Sequence, residues 1–131
     1  MRFSRYLVVV VIGVVVSACI DWLLSGVLFH GAYNATPEIW RTGLTEATKI
    51  GYSAAFSVIG VAAFAWLVGR SGRPDLRSAL LVALAAWLAG PVPVLLTDLI
   101  WIKLDSTAVA VNGAEWLARF VVTGLAAAAL L

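Results

Sequence analysis

The chain has 131 residues, of which 63% are hydrophobic and 12% are charged, whereas soluble domains carry about 25% charged residues. A water-soluble fold of this length cannot hide so much apolar surface, so the composition excludes an ordinary soluble domain. The net charge of +2 is too small and dispersed to indicate nucleic acid as a partner, and one cysteine and one histidine are too few for a structural zinc site. No cofactor and no metal are therefore expected.

Four apolar stretches follow one another along the chain, and about 20 such residues suffice to cross the hydrocarbon core of a bilayer as a helix. The predicted spans are residues 6–29, 47–68, 76–102 and 110–131. They predict a single transmembrane domain over residues 1–131, folded as an all-α, integral membrane four-helix bundle. The lipid bilayer is the partner that this composition requires.

The first span contains Val16-Ser17-Ala18-Cys19, which has the residue types of a bacterial lipobox and leaves lipidation of Cys19 as an alternative. The apolar run continues beyond this cysteine to Phe29, where a mature lipoprotein begins with a polar tether. A plain spanning helix is therefore the favoured interpretation.

The connections are marked by glycine and proline. Residues 30–46 include Pro37 and form a polar loop with at most one short helix near Trp40, and residues 69–74 form a turn. The third span contains Gly90-Pro91-Val92-Pro93, where each proline removes a backbone donor and predicts a kink. This bend should face neighbouring protein, because lipid cannot satisfy the freed carbonyls.

The basic residues indicate the orientation. Arg2, Arg5, Arg70, Arg73 and Arg77 flank the spans on the side of the termini, whereas the cations on the other side are interleaved with acidic residues. Because positive residues stay in the cytoplasm, we expect a multi-pass protein of the bacterial plasma (inner) membrane with both termini cytoplasmic.

Ionisable residues within the spans are costly in lipid and usually face the interior. Steps of four place Asp21 with Ser25, Lys49 with Ser53, and Arg119 with Thr123, each pair on one helical face. With these faces inward, the charged residues would converge in the outer half of the membrane. The candidate binding cluster is Asp21, Ser25, Lys49, Ser53, Asp98, Trp101 and Arg119.

The expected ion pair joins Arg119 to either Asp98 or Asp21. Most of the six tryptophans fit the aromatic belts at the water boundary. Trp22 and Trp87 lie nearer mid-membrane, so they are candidates for lining a cavity.

Three functions fit this pattern. The cluster could bind or transport a small polar or amphipathic molecule, with protonation of Asp21 as the coupling step. It could instead be a scaffold in which the Asp/Arg pair only holds the helices together. A membrane-embedded enzyme would use His30 as general base, although no catalytic motif supports that role. A homodimer formed through glycine-lined helix faces is compatible with each of these three functions.

The layout of four spans, with Trp22 late in the first, Trp40 in the polar loop and Thr45-Glu46 before the second, resembles small bacterial membrane families of unknown function. The resemblance implies a four-helix membrane protein and assigns no residue a role. The chain resembles, in second place, the small multidrug exporters, which are also four-helix proteins of similar size. Their carboxylate in the middle of the first helix is a glutamate, which the aspartate Asp21 matches only loosely.

Overall fold

The structure is a computed structural model that describes residues 2–72 and 75–131. These residues form helices and connections without any β-strand, which confirms the predicted all-α class. Met1, Arg73 and Pro74 are outside the described residues, and with them one of the cations used to predict the orientation and the end of the turn predicted at 69–74.

Four helical segments in the described chain are long and apolar enough to cross a membrane, as predicted. They are Phe3–Leu28, Glu46–Arg70, Leu76–Trp101 and Ser106–Leu130. The first consists of helix α1 (Phe3–Asp21) followed by a π-helical segment (Trp22–Leu28), and the third is divided into α4 (Leu76–Ala89) and α5 (Pro91–Trp101). The second and fourth are the continuous helices α3 (Glu46–Arg70) and α6 (Ser106–Leu130).

Side-chain caps fix where three of the helices begin. Thr45 accepts a hydrogen bond from the Thr48 N–H at the start of α3, and Asp75 accepts one from the Ser78 N–H at the start of α4. Asp105 accepts from the N–H groups of Thr107 and Ala108. These oxygens replace the helical acceptors that a first turn lacks, which is why α6 already begins at Ser106 and not near 110.

The kink predicted in the third span is present at Gly90, which separates α4 from α5. Its backbone angles are φ −110° and ψ −86°, outside the helical region, and Pro91 is the first residue of α5. A β-carbon on Gly90 would approach the Ala86 carbonyl oxygen to 3.2 Å. The bend therefore has two features: Pro91 has no N–H to donate to the preceding turn, and the backbone at Gly90 lies close to the Ala86 carbonyl.

Helix α6 is central to the packing, because it contacts α1, α3, α4 and α5. A buried apolar core brings four helices together at the end that carries the chain termini, hereafter the terminal end. Its members are Val9, Phe64, Ala65, Val68, Ala83 and Ala127. At this end the Arg5 guanidinium donates to the Leu130 carbonyl, 3.4 Å away.

Near mid-helix, α1, α3 and α6 cross at one point. A β-carbon on Gly13 would lie 2.6 Å from both Val61 Cγ1 and Thr123 Oγ1, so no larger residue fits there without movement. Such small residues allow helices to approach closely in lipid. Beyond this crossing α3 diverges, and its Ile50 and Phe56 are 63% and 66% exposed.

The opposite end, hereafter the loop end, is covered by the connection between the first and second spans. This connection contains a short helix α2 (His30–Tyr33) and a 3₁₀ turn at Pro37–Ile39, where a loop with at most one short helix was expected. The Trp40 indole N–H donates to the Tyr33 carbonyl at 2.6 Å. The connection is thus folded onto the packed helices.

Candidate functional site

The divergence of α3 leaves a cavity of about 620 Å³ between α1, α3 and α6, here named the polar cavity. Apolar residues such as Val14, Ile50 and Phe56 form much of its wall. The polar residues lining it are Asp21, Glu46, Lys49, Ser53, Ser57, Asn112, Glu115 and Arg119. Three of the four charged residues predicted to converge therefore line one space.

The Asp21–Arg119 ion pair joins α1 to α6 across this cavity. Arg119 Nη2 donates to Asp21 Oδ2 at 2.5 Å, and the two side chains are 11% and 33% exposed. The Arg119 guanidinium also lies over the Trp116 ring, 4.5 Å from its centroid. Asp21 Oδ1 and Arg119 Nε are buried without a hydrogen-bond partner. The pair is thus made through a single contact, which leaves hydrogen-bonding capacity on both sides.

A second polar contact joins the π-helical segment to α6. Ser25 Oγ donates to the carboxylate of Glu115, which is buried in the packed helices. Close by, the Tyr33 hydroxyl donates to the Ala108 carbonyl at 3.3 Å. Burial raises the pKa of the Tyr33 phenol above its ordinary value; hydrogen bonding with Ser25 opposes this increase, and the carboxylates of Glu115 and Asp21 add to it.

The third wall of the polar cavity belongs to α3. Lys49, Ser53 and Ser57 recur in steps of four and all line the cavity. The Lys49 ammonium donates to the Arg41 carbonyl at 2.7 Å, so this cation is held at the mouth of the cavity by the connection. The regular spacing places these three side chains on the face of α3 that is directed toward α6.

Asp98 does not join the pair, contrary to the expected single cluster. It lines a separate cavity of about 470 Å³, here named the kink cavity, together with Gly90 and Pro91 of the bend. Asn112 and Trp116 of α6 border both cavities. The kink directs α5 along one side of α6, whereas α1 and α3 lie along another. Asp98 and Asp21 are consequently separated by the α6 side chains.

The other sequence candidates lie outside both cavities. Trp22 and Trp101 are 67% and 81% exposed, and neither lines the polar cavity or the kink cavity. Trp87 is half-buried, and its indole N–H donates to the Gly113 carbonyl at 2.8 Å, which makes it a contact between α4 and α6. His30 is exposed and has no side-chain hydrogen bond to any described residue.

Sequence reasoning omitted Glu115, Asn112 and Trp116 from the candidate cluster. Glu115 lies one helical turn before Arg119, so its spacing was a usable signal. The π-helical segment left no such signal, because its longer-range hydrogen bonds, such as Phe29 N–H to the Leu24 carbonyl at 2.8 Å, are not encoded by any one residue type. In residues 2–72 and 75–131, no three His, Cys, Asp or Glu side chains are placed to hold a metal ion.

Comparison with known proteins gives a family but no described activity. No curated protein and no solved structure matches the chain. A family model described as "Protein of unknown function (DUF1761)" matches residues 8–128, which is nearly the whole chain and confirms the expected likeness to a family of unknown function. The chain belongs to the DUF1761 family.

Proposed function

We propose that this membrane protein binds a small amphipathic molecule in the polar cavity, with the Asp21–Arg119 pair at the polar end of the site. The observation that carries the proposal is a cavity of about 620 Å³ with a largely buried ion pair in its wall. Ligand sites typically have volumes of about 300–1,000 Å³, mostly apolar walls and a few convergent polar groups. The polar cavity combines all three properties.

The single-contact geometry of the ion pair supports a binding role. Asp21 Oδ1 can accept a further hydrogen bond and Arg119 Nε can donate one, and neither has a partner within the described chain. Unsatisfied buried polar atoms are costly, so a polar group between the helices would be stabilised there. The exposed flank of α3 at Ile50 and Phe56 supplies an apolar border for the rest of the molecule.

Substitutions at two neighbouring alanines, Ala54 and Ala55, test whether the polar cavity is the binding site. Ala54 lines the polar cavity and Ala55 does not, although both are exposed on α3. The probe is a fluorescent zwitterionic amphiphile, added to purified protein in nanodiscs. Ala54→Phe should weaken its saturable binding at least about tenfold by filling the site, while Ala55→Phe should leave binding unchanged. Equal affinities in the two variants, or no saturable binding to the wild type, would contradict the proposal.

We extend the proposal from binding to transport, with Asp21 as the proton carrier. A carboxylate within a membrane span is a natural proton carrier, and Asp21 lines the cavity. In proteoliposomes, Asp21→Asn should abolish proton-coupled movement of the bound amphiphile, while the circular dichroism spectrum stays helical. Unchanged movement in Asp21→Asn would show that Asp21 is not the proton carrier, and no movement by the wild type would restrict the function to binding.

A scaffold role is the second candidate, and the crossing at Gly13 favours it. Close packing of Gly13 with Val61 and Thr123, together with the Asp21–Arg119 contact, would fix the register of three helices. Under this alternative, Asp21→Asn lowers stability in detergent, and the wild-type protein shows no saturable amphiphile binding. The binding experiment on Ala54→Phe therefore separates the two candidates.

We place the protein in the bacterial plasma membrane with both termini in the cytoplasm and the polar cavity in the outer half. The Arg5–Leu130 contact supports termini on a common side, and Arg70 and Arg77 border the same end of the helices. Positive residues are retained in the cytoplasm. A reporter that is active only in the periplasm, fused after Leu131, should be inactive. An active fusion would reverse this orientation.

A further inference from the structure

The kink cavity differs from the polar cavity in its charge. Asp98 is the one ionisable side chain among the residues that line it, and the remaining polar contribution comes from Asn112. The Asp98 carboxylate is half-buried and has no hydrogen-bond partner in the described chain. The cavity therefore presents one unpartnered carboxylate group to any molecule that enters it.

The walls of the kink cavity suit an organic cation and not a hydrated inorganic one. Trp116 and Phe120 both line it, with their ring centroids 5.8 Å apart. Aromatic faces attract ammonium and guanidinium groups, and the attraction increases when water is excluded. The rest of the lining is apolar, including Val94 and Leu95. A cation with an apolar body would thus satisfy both the carboxylate and the walls.

Arg119 does not supply the cation that would pair with Asp98 in the kink cavity. Arg119 lies over the Trp116 ring at 4.5 Å, but its guanidinium is paired with Asp21 and Arg119 does not line the kink cavity.

We propose that the kink cavity is a second binding site, selective for an organic cation such as a quaternary ammonium with an apolar substituent. The cation pairs with Asp98 and contacts the rings of Trp116 and Phe120. A volume of about 470 Å³ is within the usual range for small-molecule sites. The site is distinct from the polar cavity, although Asn112 and Trp116 border both.

The test uses benzyltrimethylammonium as probe, with benzyl sulfonate as the anionic counterpart. Isothermal titration calorimetry is carried out on the full chain in nanodiscs of neutral phosphatidylcholine, so that the lipid surface does not attract the cation. The wild type should bind the cation saturably and should not bind the anion. Asp98→Asn should reduce cation affinity at least about tenfold, because it removes the charge at nearly constant volume. Asp98→Glu should retain binding.

Two matched variants make the result specific to this cavity. Glu38→Gln removes an exposed carboxylate of the connection, which lines neither cavity, and should leave cation affinity unchanged. Ala54→Phe fills the polar cavity and should also leave it unchanged. Equal binding of cation and anion, full affinity in Asp98→Asn, or no binding by folded wild-type protein would each overturn the proposal. Loss of cation binding in Ala54→Phe would overturn it too, by placing the cation in the polar cavity.

Discussion

Asp21 and Arg119 are 98 positions apart in the chain, and their side chains meet at 2.5 Å to join the first membrane-spanning helix to the last. Both are half-buried or nearly buried, so the contact is only partly screened by solvent. The partner atoms left unsatisfied on each side make the pair weaker than a two-contact arrangement. Its contribution to stability can be measured separately from the binding proposed above.

The first prediction concerns this pair. Asp21→Asn and Arg119→Gln should each lower the free energy of unfolding in mixed micelles by about 2 kcal/mol, since each leaves a half-buried charge without its partner. The double variant should lose less than the sum of the two single losses, because the two side chains interact directly. Chemical unfolding followed by circular dichroism measures all three.

Asp98→Asn is the control for the first prediction. Asp98 has no hydrogen-bond partner in the described chain, so its substitution should not reduce the free energy of unfolding. Strictly additive losses for Asp21→Asn and Arg119→Gln would show that the contact contributes no coupling energy.

The second prediction concerns the helix crossing. Gly13→Ala should destabilise the protein by about 1–3 kcal/mol, because the new methyl group would lie 2.6 Å from Val61 and Thr123. Gly51→Ala is the matched control, since nothing lies within 4 Å of its added β-carbon. It should be neutral or stabilising through helix propensity. Equal thermal midpoints for the two variants in detergent would contradict the proposed close approach.

The third prediction concerns the start of α6. Asp105→Ala should cost about 1 kcal/mol of stability, because two N–H groups lose their side-chain acceptor. Asp105→Asn keeps an acceptor oxygen in the same place and should retain most of that stability. Backbone hydrogen exchange at Thr107 and Ala108 should become faster in the alanine variant alone. Unchanged exchange at both positions would argue against the cap.

The fourth prediction concerns alkaline pH. Burial raises the pKa of Tyr33 above its ordinary value of 10.0, so the folded chain holds this proton more tightly than the unfolded chain does. The resulting stabilisation is complete below the unfolded pKa and is lost as the pH rises through the folded one. The wild type should therefore lose more unfolding free energy between about pH 9 and pH 11 than Tyr33→Phe does.

Tyr52→Phe serves as the comparison for that measurement, because Tyr52 is 58% exposed and lies on the α3 surface. Its variant should follow the wild-type alkaline curve. Identical curves for the wild type and Tyr33→Phe would mean that the Tyr33 phenol contributes nothing to the alkaline loss.

The sequence by itself determined the four helices that are long and apolar enough to cross a membrane, and the kink at Gly90. Both depend on neighbouring residues only: a run of apolar side chains must be helical in hydrocarbon, and a proline has no N–H to donate. The four-residue spacing in the sequence placed Lys49 and Ser53 on one face of α3.

Only the tertiary structure decided which charges meet. Arg119 had two candidate carboxylates in the sequence, and the structure pairs it with Asp21 while Asp98 borders another cavity. The physical reason is that helix rotation and tilt are set by contacts between distant residues, such as Gly13 with Thr123. Such contacts leave no periodic pattern in the sequence, and neither does the contact of Ser25, in the π-helical segment, with Glu115.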